Sequence, residues 1–231
     1  DGDCLDDDLT TEGAVPTVGP NGEIYVCWAL SSKLYFNYSL DDGETWLENE
    51  IEIAQQEEGW ALDIPGIYRC NGMSVTVCDI SKSPHRGTIY INWADQRNGK
   101  DNTDIWLKKS TDGGKSWSED IKVNSDHSSR HQFLSWMTVD QSTGYLYIVY
   151  YDRRETDGNY TDVFMSVSKN GGKSFKDYKI SKSSFLPNDK IFFGDYTNIS
   201  AVGGVVRPIW THLQNTDISL FTAIVNQEEL D

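Results

Sequence analysis

The sequence predicts an all-β protein, a β-propeller with about four blades, each a four-stranded antiparallel sheet. Its 231 residues suffice for one large all-β domain, and 38% apolar with 12% aromatic residues fits half-buried strands. A glycine stands six residues before an aromatic residue in four places, at intervals of 65, 57 and 60 residues. These pairs are Gly22 and Trp28, Gly87 and Trp93, Gly144 and Tyr150, and Gly204 and Trp210. Repetition of this kind is typical of propellers.

The strands of each repeat are visible as short runs of alternating apolar residues. The first three glycines open GEIYVCW, GTIYINW and GYLYIVY, which we interpret as second strands that follow a tight turn. We expect innermost strands at 14–18, 74–78, 136–139 and 198–201, and third strands at 34–38, 104–108 and 162–167. The chain 1–231 is therefore predicted to be one propeller, or part of one, with blades near 12–60, 71–125, 131–182 and 190–228.

A glycine-rich octet follows each of the three predicted third strands. The octets read SLDDGETW (39–46), STDGGKSW (110–117) and SKNGGKSF (168–175), and they share the pattern Ser-x-Asp-x-Gly-x-Ser/Thr-aromatic, with Asn170 in place of Asp in the third. In such a turn the Asp or Asn accepts backbone N–H groups, the Gly adopts a positive φ, and the aromatic residue packs between blades. The pattern therefore predicts a structural turn rather than a catalytic motif.

The octet resembles the Asp box, or bacterial neuraminidase repeat, of sialidases and of several propellers that are not sialidases. The fourth repeat (194–225) keeps its strands but has no octet, and it is similar to the last blade of bacterial exported proteins of this type whose role is unknown. The resemblance implies a secreted propeller that acts on glycans or binds them. Sialidases have six blades, so either four blades close here or the chain is part of a larger ring.

Strand alternation separates the loops onto two faces of a propeller. The octets share one face with the glycine turns, whereas the loops after the second strands and those leading into the first strands lie on the opposite face, where propellers commonly hold ligands. The first of these loop sets contains Asp95, Arg97, Asp152, Arg153 and Arg154, and the second contains Glu12, Arg69, Arg130, His131, Asp195 and Tyr196. We expect these residues to converge.

Clustered arginines hold a carboxylate bidentately, and neighbouring Asp, Glu or Tyr side chains serve as acid, base or nucleophile. Arg207 breaks the repeat, because the other three repeats have Tyr25, Tyr90 and Tyr147 at its position. The candidate catalytic residues are Arg69, Arg130, Asp195, Tyr196 and Arg207. The candidate ligand-binding residues are Glu12, Asp95, Arg97, His131, Asp152 and Arg153.

Two features qualify these candidates. Asp95 with Arg97, and Asp152 with Arg154, recur at the same place in two repeats, which favours salt bridges within the architecture over ligand binding. Resemblance to sialidases implies three arginines around a sugar carboxylate, but the Arg-Ile-Pro motif of that family is absent, and the nearest string is IPGIYR at 64–69.

The net charge of −16 argues against nucleic acid and anionic membranes as partners, and no apolar run reaches the ~20 residues of a membrane-spanning helix. No cofactor is predicted. The acidic segment at the amino end is interpreted as a solvated segment without metal, as charge runs usually are. The alternative is a calcium site with Asp3, Asp6, Asp7 and Asp8 as ligands.

Four cysteines allow two disulfides, for which we prefer the pairs Cys70–Cys78 and Cys4–Cys27. These bonds would indicate an oxidising compartment, and they agree with a secreted or cell-surface protein. The chain begins at Asp1 rather than Met, so we expect a mature, trimmed or excised form. The alternative for the cysteines is four small buried thiols.

Three functional classes remain open: a glycan hydrolase, a non-catalytic carbohydrate-binding or adhesion module, and a scaffold for protein interactions. A hydrolase needs paired carboxylates or a Tyr–Glu pair, a lectin needs exposed aromatic residues with amides, and a scaffold is expected to expose apolar patches. We expect a glycan or glycoprotein as the partner. Further blades of the same chain, or a second copy, are the other expected partners.

Overall fold

The computed structural model describes Leu5 and residues 11–230, and these form β-strands with one short 3₁₀ helix, Gln227–Glu229. Blade 1 contains β1 (Glu12–Val18), β2 (Ile24–Leu30), β3 (Lys33–Ser39) and β4 (Ile51–Gln55). A two-stranded hairpin follows, formed by β5 (Ala61–Leu62) and β6 (Cys70–Asn71). Blade 2 contains β7 (Val75–Cys78), β8 (Ile89–Asp95), β9 (Asp104–Ser110) and β10 (Ile121–Lys122).

Blade 3 contains β11 (Gln132–Asp140), β12 (Tyr145–Asp152), β13 (Asp162–Ser168) and β14 (Lys176–Lys179). Blade 4 contains β15 (Asn198–Val202), β16 (Val205–Gln214), β17 (Asp217–Thr222) and β18 (Val225–Asn226). In blades 1 to 3 the four strands pair antiparallel in chain order, as predicted. In blade 4 both β17 and β18 pair with β16, so the sheet is three strands wide.

The blades stack face to face through their innermost strands, with β1 on β7, β7 on β11 and β11 on β15. Blades 2 and 3 are covered on both sides, and every residue of β8 and β13 is buried. Apolar residues accordingly make up most of both strands. The described strands form a propeller-like arc, and a closed ring is not seen.

The open end of the arc is the outer face of blade 4. All six residues of β17 are exposed, including Leu220 at 73%. Along β15 and β16, Val202 and Ile209 point the same way, whereas Ile199 and Trp210 are buried toward blade 3. The side chains of a strand alternate between the two faces of its sheet, so in blade 4 one apolar set packs toward blade 3 and the other faces solvent.

The octets have the turn geometry that their residues predict. In the second octet the Asp112 carboxylate accepts the backbone N–H of Ser116 at 2.9 Å, and hydrogen bonds from Ser116 lower the pKa of Asp112 to about 2. Gly114 has φ +89° and lies against Phe36 of blade 1, where a Cβ would come within 2.3 Å of the ring. The Trp117 ring packs on Phe36 with 4.9 Å between centroids, so the octet joins blades 1 and 2. Equivalent hydrogen bonds link Asp41 to Thr45 and Asn170 to Ser174.

The predicted Cys70–Cys78 disulfide is wrong. Both residues are free thiols, and they belong to different hydrophobic clusters: Cys70 packs with residues of blades 2 to 4, whereas Cys78 packs with residues of blades 1 and 2. Cys70 lies in the β5–β6 hairpin before the innermost strand and Cys78 lies at that strand's far end. Cys27 is also a buried free thiol, and its predicted partner Cys4 lies outside the described residues.

We expect Cys27, Cys70 and Cys78 to resist alkylation in the native protein and to react fully once it is unfolded, without any reductant. Burial raises the pKa of Cys27 and of Cys78 to about 12, so almost no thiolate is present at neutral pH. Mass spectrometry of iodoacetamide-labelled peptides before and after unfolding checks this. An unlabelled Cys70 or Cys78 in the unfolded, unreduced sample would contradict the structure.

Candidate functional site

The loops of blades 2 and 3 dominate the face opposite the octets. Blades 1 and 4 join their second and third strands through two-residue turns, at 31–32 and 215–216. Blades 2 and 3 have long polar loops instead, at 96–103 and 153–161. Most of the candidate side chains belong to these two loops or to the neighbouring segments that lead into the innermost strands.

Two repeated ion pairs fasten these loops to their own blades. Arg97 binds Asp95 at 2.6 Å, also bonds Asp120, and lies 4.2 Å from the centroid of Trp106. Arg154 repeats this arrangement in blade 3, where it binds Asp152 and Asp177 at 2.6 Å each and covers Phe164. Asp95 and Asp152 are fully buried, which makes these pairs part of the architecture, as their repetition in the sequence predicts.

A second group connects blades 2 and 4. Arg69, at the end of the hairpin loop, binds the Asp195 carboxylate through Nε at 2.7 Å and Nη2 at 2.6 Å. Asn71 donates to the Asp195 backbone carbonyl at 2.8 Å. The hydrogen bonds that Arg69 donates to the Asp195 carboxylate raise the pKa of Arg69, and the charge of Glu12 adds to this effect. The structure thus brings Glu12, Arg69 and Asp195 to one region, with two acidic residues around one arginine.

A third group consists of Arg130, His131 and Arg153. The Arg153 side chain is only 1% exposed, and its Nε donates to Thr161 Oγ1 at 3.1 Å. Its Nη2 is enclosed and has no hydrogen-bond partner, and no carboxylate among the described residues forms an ion pair with it. Burial, together with the charge of Arg130, lowers the pKa of Arg153 to about 10.

His131 shares this environment. Its Nδ1 lies 2.9 Å from Thr103 Oγ1, and its backbone carbonyl accepts the N–H of Arg153. Burial, followed by the charge of Arg153, lowers the pKa of His131 to about 4. Arg130 donates to the Gly158 carbonyl at 2.5 Å. We call Arg130, His131 and Arg153 the cationic cluster.

The cationic cluster and the Arg69–Asp195 pair lie close to each other. Cys70, next to Arg69 in the chain, is within electrostatic range of both Arg153 and Asp195, although burial is the main cause of the rise in its pKa. Leu134, just beyond the cluster, has φ +50° at a bulge where β11 slips against β12. Such bulges redirect side chains at the ends of strands, and strained residues of this kind concentrate at functional sites.

Exposed aromatic side chains surround the same region. Tyr196 is 61% exposed and its ring lies 6.0 Å from that of Trp136. Tyr68 packs edge-on against Phe192 at 6.1 Å, and Arg69 lies over Phe192 at 5.1 Å. The hairpin and the segment leading into blade 4 therefore offer flat apolar surfaces beside the charged groups.

Arg207 does not join the site. It lies on β16 opposite Ser200 and points away from blade 3, with exposed Ile209 on the same side. The residue that departs from the repeat within the site is Arg153 instead. Its counterpart in blade 2 is Gln96, a neutral side chain that donates to Asp63, Lys100 and Thr103.

Sequence reasoning missed that Arg153 has no counterion among the described residues, and that Tyr68 and Phe192 belong to the aromatic rim. The residue after Asp95 is Gln96, whereas the residue after the equivalent Asp152 is Arg153. This difference between two otherwise similar loops is the sequence signal that could have identified Arg153.

No cluster of His, Cys, Asp and Glu within residues 11–230 is arranged to hold a metal ion. The calcium candidates Asp3, Asp6, Asp7 and Asp8 lie outside the described residues. No helix in the described part of the chain has the length and apolar character to cross a membrane.

No protein-family model and no curated protein sequence matches this chain. Several solved structures resemble this chain in fold. A Hadza microbial sialidase, Hz136, has a TM-score of 0.60 and 14% identity, over 94% of this chain and 45% of the sialidase. The endosialidase of phage phi92 has a TM-score of 0.61 and 12% identity, over 96% of this chain and 37% of the other. The α-L-arabinanase of Penicillium chrysogenum has a TM-score of 0.52 and 15% identity, over 94% and 68%.

At these identities the likeness is one of fold: the chain shares the propeller-like arrangement of glycan-active enzymes. It spans less than half the length of the two sialidase chains.

Replacing Arg154 with Met should lower the free energy of unfolding by about 3–5 kcal/mol, because it leaves the buried carboxylates of Asp152 and Asp177 without their counterion. The matched control is Arg207→Met, because Arg207 is exposed and has no carboxylate partner in the described part of the chain; it should change the value by less than about 0.5 kcal/mol. Denaturant titration of both variants measures the difference. Equal effects would contradict the architectural role of the Arg154 pairs.

The free energy of unfolding should decrease as the pH falls from 6.5 to 4, because His131 becomes protonated in the unfolded chain before it does so in the folded protein. The folded protein binds this proton less readily than the unfolded chain, whose histidine has the ordinary pKa of 6.5, so acid favours unfolding. The contribution is on the order of 2 kcal/mol, since one pKa unit corresponds to about 1.4 kcal/mol and solvent screens part of the interaction. The His131→Asn variant should show a correspondingly shallower pH dependence, measured by denaturation across this range. Parallel profiles for the two proteins would refute this role for His131.

Proposed function

We propose that this chain forms the glycan-binding face of a secreted or cell-surface propeller, and that the glycan carries a carboxylate or another anionic group. The observation that carries the proposal is Arg153, a buried arginine with an enclosed, unpartnered Nη2 and no counterion among the described residues. Buried charges in proteins are ordinarily paired. A bound anion would supply the missing pair.

The surroundings of Arg153 favour an anion rather than a neutral ligand. Arg130 adds a second positive charge close enough to affect the pKa of Arg153. The chain as a whole carries a net charge of −16, which repels anions at long range. Salt screens that repulsion beyond about 8 Å, so the charges of Arg130 and Arg153 outweigh it locally.

The aromatic rim supports a sugar as the carrier of this anion. Sugar rings have apolar faces that pack against exposed aromatic side chains, and Tyr68, Phe192 and Tyr196 are exposed beside the charged groups. The Arg69–Asp195 pair and Asn71 add hydrogen-bonding groups at the same edge. Polymeric glycans with carboxylates are found outside cells, which agrees with the proposed location.

The three octets support placing the chain among the Asp-box propellers, because their side chains make the turn hydrogen bonds expected of that motif. Within that group a glycosidase is the second candidate function. Glu12 and Asp195 near Arg69, with Tyr196 next in sequence, favour it, since a glycosidase uses two acidic groups around the scissile bond. We rank glycan binding ahead of hydrolysis because the Asp195 carboxylate is already paired with Arg69.

The Arg153→Met variant tests the proposal. We expect wild-type protein to bind sialyllactose or trigalacturonate more tightly than lactose, and the variant to bind the acidic sugars about 10- to 100-fold more weakly, since a hydrogen bond to a charged group contributes about 1.5–3 kcal/mol. The variant should be at least as stable as wild type, because it removes an unpaired buried charge. Isothermal titration calorimetry and thermal denaturation provide the two readouts.

Arg207→Met is the control for binding, because it removes an arginine from another surface of the protein. It should leave the affinity for acidic sugars unchanged. Unaltered binding by Arg153→Met, or a large loss of stability in that variant, would show that Arg153 is a structural residue. Release of lactose from sialyllactose by wild type, abolished in Asp195→Asn, would move the glycosidase into first place.

A further inference from the structure

A separate cavity opens on the same face, between blades 3 and 4. Its volume is about 740 Å³, within the range of about 300–1,000 Å³ typical of small-ligand sites. Its walls are the blade 3 loop near Tyr160, the segment 183–189 that leads toward blade 4, and the β16–β17 turn. No residue of the cationic cluster lines it.

Aromatic side chains form one part of the lining. Tyr160 is 48% exposed and Phe221 is 41% exposed. His212 stacks on Phe221 with 4.4 Å between ring centroids and an angle of 27° between the planes. His212 also packs on the buried ring of Phe185 at 4.7 Å. The cavity therefore has a flat apolar wall with access from solvent.

Unpartnered polar side chains form the other part. Within the described residues, no hydrogen bond or ion pair is made by the side chains of Asn159, Ser183, Asp189, Gln214 and Asn215. The amides each offer both a donor and an acceptor, and the hydroxyl offers both as well. This set matches the hydroxyl groups of a sugar, which donate and accept in the same way.

The charge of the lining differs from that of the cationic cluster. It contains no Lys or Arg, and its one carboxylate is that of Asp189. Burial lowers the pKa of His212, which favours the uncharged form of this side chain. Nothing in the cavity compensates an anion, and the net charge of −16 disfavours one further.

The β5–β6 hairpin loop separates the two places. Its turn runs from Ile64 to Ile67, closed by a backbone hydrogen bond of 3.0 Å, and it borders the cavity at Gly66. Gly66 has φ +79°, and a Cβ there would come within 3.0 Å of the Asn159 side chain. The same loop ends at Arg69. The hairpin loop therefore borders the cavity at Gly66 and the Arg69–Asp195 pair at its end.

We propose that the cavity between blades 3 and 4 is a second carbohydrate site, which binds uncharged sugar residues by stacking on Tyr160 and Phe221 and by hydrogen bonds to the free amides. It goes beyond the proposed binding of an anionic group, and it does not depend on Arg153. Together the two sites suit a glycan in which a charged residue is followed by neutral ones.

The test compares wild type with Tyr160→Ala and Gln214→Ala on neutral trisaccharides. An array of neutral hexose, pentose and N-acetylhexosamine oligomers selects the probe, with cellotriose, xylotriose and chitotriose as the first set for calorimetry. Each variant should bind the neutral sugar about tenfold more weakly, equivalent to about 1.4 kcal/mol. Both side chains are exposed, so thermal denaturation should show unchanged stability.

Leu40→Ala is the control, because Leu40 is 66% exposed on the octet face and does not line the cavity. It should leave neutral-sugar binding unchanged, as should Arg153→Met. Absence of binding to every neutral sugar at millimolar concentration would overturn the second site, and so would equal binding by wild type, Tyr160→Ala and Gln214→Ala. Loss of neutral-sugar binding in Arg153→Met would show one site rather than two. Acidic-sugar binding is measured separately, so either proposal can fail alone.

Discussion

Face-to-face packing of successive sheets is the constraint on which the rest of this structure depends. Strands such as β8 and β13 are buried on both sides, so most of their side chains are apolar and polar ones bond to neighbouring strands or blades, as Asn92 does to Ser135 of blade 3. Once the sheets stack in this way, the direction of each strand determines the face on which its loops emerge. The octet turns support the stacking from one face, as Gly114 and Trp117 do against Phe36. The opposite face is thereby free to carry polar chemistry.

Repetition explains how far the sequence could be interpreted. The second strands, the octets and the Asp95–Arg97 and Asp152–Arg154 pairs all recur at similar spacing, and recurrence reflects packing needs that each blade shares. The predicted innermost and third strands correspond to strands in the structure for the same reason. Features that occur in only one blade cannot be predicted from the repeat. Arg207 was chosen because it departs from a repeated tyrosine, but it lies at the uncovered end of the arc, where no neighbouring blade requires a tyrosine.

The candidate site was predictable as a face but not as a set of contacts. Whether Arg153 has a counterion depends on side chains from three separate segments, and sequence spacing carries no information about their distances. The predicted Cys70–Cys78 disulfide was wrong for a similar reason: proximity in sequence suggested a bond, whereas the hairpin directs Cys70 into a different hydrophobic cluster.

The candidate site places a local cationic cluster within a strongly acidic chain. Binding energy at such a place comes from short-range contacts, because the long-range field opposes the ligand.

The solvent-exposed outer face of blade 4 affects where this chain unfolds locally. Strands β8 and β12 are enclosed by sheets on both sides, so exposing their amides requires separation of whole blades. Strand β17 pairs on one edge only and has solvent on its outer face, so it is released at a much smaller cost. Within this chain, amide protons of β17 should therefore exchange long before those of β12. Because Phe221 belongs to β17, the blade 3–blade 4 cavity has one wall in the least protected sheet, and occupation of the cavity would slow this fraying.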